Sequence, residues 1–128
     1  MSLLIKTRTT IVPSARTKIG LLLQAERAQR DYPYGWAPIQ LLAVDRLRRY
    51  GFGADADRIT HKFLLMVLQN WRRDHTLREK YNVVTQSTET HIEAGYARNV
   101  TGFGWTNGVF LELLHESPPD LVARLQKE

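Results

Sequence analysis

The chain has 128 residues, 43% of them hydrophobic and 24% charged, which is one domain's worth of sequence with enough apolar side chains for a core of ordinary size. It has no cysteine, so disulfides, thiolate nucleophiles and cysteine-based metal sites are excluded together. A net charge of +5 and a pI near 9.8 raise a nucleic-acid reading, but basic and acidic residues are interleaved (Asp45, Arg46, Arg48, Arg49; Asp55, Asp57, Arg58), the pattern of a solvated helix face, and no nucleic-acid partner is expected.

There is no apolar run of about twenty residues and no signal-peptide pattern, so neither a membrane span nor export is expected, and the cytoplasm is the default compartment. His61, His75, His91 and His115 are dispersed, without the spacing of a metal site, and neither a metal nor a cofactor is expected.

Residues 1–13 alternate weakly and carry no functional expectation. From Ser14 to Arg30 the composition favours a helix, with Ile19, Leu22, Leu23 and Ala25 on one face. Gln29 to Gln40 then reads Q-R-D-Y-P-Y-G-W-A-P-I-Q. Pro33 biases Tyr32 away from helical geometry, Gly35 permits a reversal, and Pro38 suits the first turn of a following helix. Two readings stand side by side: a stiff aromatic loop that binds a polar ring such as a sugar, or a tight interhelical turn whose aromatics plug the core.

Ala37 to Tyr50 reads as a helix with Ile39, Leu42, Ala43, Leu47 and Tyr50 on its apolar stripe, stopped by Gly51. A second helix, from Ala54 to Arg73, carries Ile59, Phe63, Leu64, Val67, Leu68 and Trp71 on a wide face, so the two form an antiparallel hairpin across G-F-G. Arg72, Arg73 and His75 complement its dipole. Asp74 to Asn107 has no sustained helical period and is rich in Thr, Ser, Asn and Gly. A loop this long in a compact domain is expected to be functional. Beyond it, Thr106 or Asn107 is expected to cap a helix carrying Val109, Phe110, Leu113 and Leu114. Ser117-Pro118-Pro119-Asp120 is expected to start a last helix, with a capping box and Leu121, Val122 and Leu125 inward.

Three ordered segments carry a resemblance. Q-R-D-Y-P-Y-G-W-A-P-I-Q resembles the second signature of the family 37 glycoside hydrolases, the α,α-trehalases, written Q-W-D-x-P-x-G-W-x-P. R-E-K-Y-N resembles that family's E-K-Y-D/N, and G-F-G-W-T-N-G-V its closing G-F-G-W-T-N-G-V. The resemblance implies an all-α fold of antiparallel helical hairpins, of which this single domain would be the C-terminal part of an (α/α)6 toroid. It also implies an inverting hydrolysis of α,α-trehalose. By the same resemblance Glu79 is the general base, with Arg78 and Lys80 flanking it. Asp31, Trp36, Glu93, Trp105 and Asn107 are substrate-binding. From the residues alone Glu79 reads rather as a solvated glutamate in a charged turn, and Trp105 equally as a core residue.

Two departures matter. The signature's tryptophan is Arg30 here, and residues 1–28 carry no matching motif. Inverting hydrolysis uses two carboxyl groups about 6.5–9.5 Å apart, and the resemblance places the general acid, an Asp, in sequence that these 128 residues do not contain. The isolated chain is therefore expected to be inactive or very weak. The alternative is a non-catalytic helical module that self-associates through exposed helix faces or complements a missing half.

Overall fold

The computed structural model describes residues 32–91 and 98–128. The helix expected over 14–30, together with Asp31 and Glu93, lies outside them.

The described residues form antiparallel helical hairpins. Strand β1 (Tyr34–Trp36) leads directly into helix α1 (Ala37–Arg49). Pro38 sits in the first turn, where its missing N–H costs nothing. The helix stops as its glycine predicts. Gly51 adopts φ +83°, Phe52 N–H donates to Leu47 O at 2.8 Å and Gly51 N–H to Arg48 O at 3.1 Å, the paired bonds of a Schellman motif. Helix α2 (Gly53–Asp74) then runs back along α1 and ends in a left-handed His75, whose ring meets Trp71 edge-on.

The stretch expected to be wholly irregular contains strand β2 (Lys80–Asn82), which pairs antiparallel with β1 in the register Tyr34 with Asn82, Gly35 with Tyr81 and Trp36 with Lys80. Two three-residue strands are only marginally stable alone. This ribbon is held by what surrounds it, with Val83 N–H donating to Pro33 O and Gly102 N–H to Leu77 O. Gly35 is required by close approach: a Cβ there would come 2.3 Å from Val83 Cγ1.

Helices α3 (Gly104–His115) and α4 (Pro119–Lys127) complete the set. The expected caps are not used. Helix α3 starts before Thr106 and Asn107, with Phe103 at the N-cap, and the Thr106 hydroxyl bonds to Arg78 O instead. Ser117 donates back to Leu113 O, so Pro118 stands at the N-cap of α4 without a side-chain bond.

The core is one cluster: Ala37 and Val44 of α1, Ala56, Phe63, Leu64, Met66 and Val67 of α2, Tyr81 of β2, Val109 and Leu113 of α3, and Leu121 and Leu125 of α4. Helix α1 packs on α2 and α3, and α2 also on α3 and α4. Arg48 of α1 pairs with Glu116 beyond α3, tying the hairpins together at the far end. The stripe expected to bury α1 is corrected. Ala37, Leu41, Val44 and Leu47 face the core, whereas Ile39 is 51%, Leu42 60% and Tyr50 74% exposed. On α2 the expected residues Phe63, Leu64 and Val67 are buried, but Trp71 is exposed.

Leu113 is fully buried where the helices meet. Leu113→Ala is expected to lower unfolding stability by about 2–5 kcal/mol, read from the urea midpoint at constant slope; a loss under about 1 kcal/mol would place Leu113 outside the cooperative core.

Candidate functional site

The loops before α1, after α2 and before α3 meet at one end of the hairpins, because α1 and α2 run antiparallel and α3 enters from the same side. Glu79 immediately precedes β2. It is 5% exposed and its N–H donates to Val100 O at 2.9 Å. Lys80 is fully buried, and its Nζ lies 3.0 Å from Glu79 Oε2 and 5.7 Å from the centroid of the Trp36 ring. The ribbon register sets Trp36 opposite Lys80. Trp105, from the first turn of α3, comes within 5.6 Å of Trp36, centroid to centroid, and Phe103 stacks on Trp105 at 4.6 Å.

The structure thus links Glu79 through Lys80 to the pair formed by Trp36 and Trp105. Trp36 is buried, so it forms a wall, while Trp105 keeps 37% of its surface exposed and offers the more accessible ring. Asn107 lies elsewhere: it is exposed and lines a groove of about 280 Å³ with Val67, Leu68, Trp71, Leu77, Phe110 and Leu111. A second hollow of about 260 Å³, behind the ribbon between Phe63, Met66 and Val83, also excludes Glu79.

Of the two cations flanking Glu79, only Lys80 pairs with it. Arg78 turns away, bonding Asp74 Oδ2 at 3.1 Å and Asn99 O at 3.3 Å. Several residues to which the resemblance gives no role hold the segment in place. Asn99 brackets Lys80, its Oδ1 accepting from Lys80 N–H at 3.3 Å and its Nδ2 donating to Lys80 O at 2.8 Å, while Nδ2 also reaches Thr88 O. Thr106 Oγ1 donates to Arg78 O at 2.8 Å and Arg78 N–H donates to the Tyr81 hydroxyl. Burial pushes the Tyr81 phenol up from its ordinary value. The Tyr34 hydroxyl accepts from His91 N–H and donates to His91 O, fixing the far strand of the loop. Of these, Tyr34, Arg78, Lys80, Tyr81 and Thr106 lie inside the three motif segments, whereas Thr88, His91 and Asn99 had no local signal.

A helical domain whose carboxylate and aromatic rings are presented by loops between helices, rather than along a helix face, is the class that this fold and site define. The family model described as Trehalase matches residues 3–118, beginning well before the first of the three motifs. The chain belongs to the trehalase family, and its all-α hairpins are part of that family's helical toroid. It is 48% identical over 94 residues to a periplasmic trehalase of Xanthomonas oryzae pv. oryzae, a match covering 70% of this chain and 16% of the relative. Against the periplasmic trehalase of Xanthomonas axonopodis pv. citri the identity is 47% over 90 residues, with the same coverage. Against that of Salmonella newport it is 41% over 99 residues, covering 73% of this chain and 17% of the relative. The chain therefore spans about a sixth of these relatives' length. Their names also correct the expected compartment, pointing to the periplasm and not the cytoplasm.

The corner that delivers Glu79 depends on Asp74. Its Oδ1 accepts from Thr76 Oγ1 at 2.7 Å and Thr76 N–H at 3.0 Å, and these bonds with Arg78 hold its carboxyl below the ordinary 3.8. Because the folded value is depressed, the contribution is fully present above the ordinary value of about 4 and is lost as pH falls below it, through the lower folded value. Asp74→Asn is therefore expected to flatten the acid side of the stability profile, measured as urea midpoints from pH 2 to 6; an unchanged profile would remove Asp74 from the corner.

Proposed function

We propose that this chain supplies the base-carrying part of a trehalase site, and that Glu79 is the general base in an inverting hydrolysis of α,α-trehalose to two glucoses. One observation carries the reading: a glutamate in the second family segment is buried against Lys80, whose ammonium lies over the Trp36 ring that meets Trp105, instead of standing in solvent. In this reaction the carboxylate takes a proton from water as the water attacks the anomeric carbon, while a carboxylic acid on the opposite side protonates the departing oxygen. Trp105 and Trp36 supply ring faces to the sugar, and Asp31 and Glu93 supply hydroxyl acceptors. The opposing acid is contributed by sequence beyond these 128 residues, so the chain alone turns nothing over. The periplasm is the compartment that the relatives' names support for the complete enzyme.

A second reading is favoured by α1. Its outward stripe of Ile39, Leu42 and Tyr50, continued by Phe52 at 57% exposure, is an apolar helix face without a neighbour among the described residues. In this reading the chain is a helical module that uses the stripe to self-associate or to complement a missing half.

Incubated at high concentration with trehalose, the chain is expected to release no glucose; turnover abolished by Glu79→Gln would show that it carries its own acid. Grafted into the Xanthomonas oryzae relative in place of the matching 94 residues, it is expected to support hydrolysis, which Glu79→Gln should cut by about 10²–10⁴. A chimera that retains full activity with Glu79→Gln would sink the assignment.

Light scattering at micromolar chain is expected to read more than a monomer, and Leu42→Glu to return it to one. A clean wild-type monomer would remove the second reading.

A further inference from the structure

We infer that Lys80 is the positioning residue for Glu79, its buried ammonium fixing Oε2 so that Oε1 is the oxygen presented to the attacking water. The inference rests on the reading of Glu79 as general base and adds a role that no motif position assigns.

Consecutive residues of a strand normally point to opposite faces, so a glutamate and the lysine after it do not ordinarily meet. Here they do, because Glu79 stands at a bend outside β2 while Lys80 is its first residue. An ammonium with no solvent exposure is strongly unfavourable unless its charge is met. Glu79 Oε2 at 3.0 Å and the Trp36 ring at 5.7 Å both meet it. The other carboxylate oxygen takes no hydrogen bond from any described residue, and it is the atom left for chemistry.

Lys80 can act as a fixed point because its backbone cannot drift. Asn99 holds both its N–H and its carbonyl and anchors the pair to Thr88. On the near side Thr106 of α3 holds Arg78 O, and Val100 holds Glu79 N–H. Arg78, the other flanking cation, is committed to Asp74 and Asn99 and does not share the task. A carboxylate pinned through one oxygen loses rotational freedom about its last bond before substrate arrives, which is the preorganisation that general-base geometry rewards.

The absence of cysteine gives a clean test on the chain itself. Lys80→Cys removes the ammonium, and aminoethylation of the unfolded variant followed by refolding restores one on a side chain of nearly the same length. The readout is the side-chain order of Glu79 by NMR relaxation, its signal identified by its loss in Glu79→Gln. With the ammonium gone, that order is expected to fall to the level of an exposed glutamate, and aminoethylation to bring it back. A lysine that serves only packing would lower the unfolding midpoint without changing the Glu79 order, and that result overturns the inference. If Lys80→Cys does not fold, the wild-type chain decides: the Lys80 ammonium proton signal is expected to exchange slowly and to shift in Glu79→Gln. An ammonium that exchanges as freely as surface lysines overturns the inference equally. These measurements need no turnover, so they can fail while the chimera's dependence on Glu79 stands, or hold while it falls.

Discussion

A buried charge that must be met holds this structure's functional end together. Lys80 has no contact with solvent, and removing an ammonium from water is tolerable only beside a carboxylate and with its backbone bonds satisfied. Those conditions fix Glu79 at its side chain, Trp36 across the ribbon and Asn99 around the backbone in one arrangement. Apolar packing alone would not select it, since a leucine at this position would leave Glu79 free to turn to solvent. The pair's own contribution to stability is modest, because the desolvation it incurs offsets much of the attraction.

The helices make that arrangement affordable. A three-residue ribbon has too few bonds to stand alone, and its strands are anchored by longer elements on three sides. β1 continues into α1 without a break, Thr106 of α3 reaches Arg78, and Asn70 of α2 donates to Met66 O within its own helix and to Gln86 O beyond β2. Arg73, one turn further, bonds Asn70 and Thr88, so the basic end of α2 serves the loop as well as the helix dipole. Rigid helices thus hold a loop whose own sequence gives it little regular structure, the usual division of labour between scaffold and site.

How much of this was legible in the sequence depends on the range of the interaction. Helices α1 and α2 were readable within a residue or so because Pro38, Gly51 and the apolar period are local signals. Which face of α1 is buried was not. Ile39, Leu42 and Tyr50 fit a helical stripe as well as Ala37, Leu41 and Val44 do, and a hydrophobic period cannot say which of two apolar faces this portion of the fold covers. The ribbon was illegible because Y-G-W and K-Y-N are too short to alternate. The caps misled for a related reason: Thr106 and Ser117 are good N-cap types, but tertiary or preceding-turn carbonyls outbid the helix starts for their hydroxyls. In the site, Glu79, Trp36 and Trp105 came from motif resemblance, and the structure adds that Lys80 links the first to the other two. Asn99 acts on backbone far along the chain, and which of the two flanking cations meets Glu79 depends on the bend before β2; sequence spacing encodes neither.

The two faces of α1 bear on how the site and the exposed stripe are related. One face joins the core that supports β1 and hence Trp36. The other presents Ile39 and Leu42, within the first two turns of the same helix. A neighbour seated on that stripe would press on the element whose first turn begins at Trp36, the N-cap residue. Because α1 is rigid and β1 is continuous with it, such a load would reach the Trp36 wall with no loop between to absorb it. The stripe, exposed among the described residues, and the Glu79 corner are thus two ends of one mechanical unit.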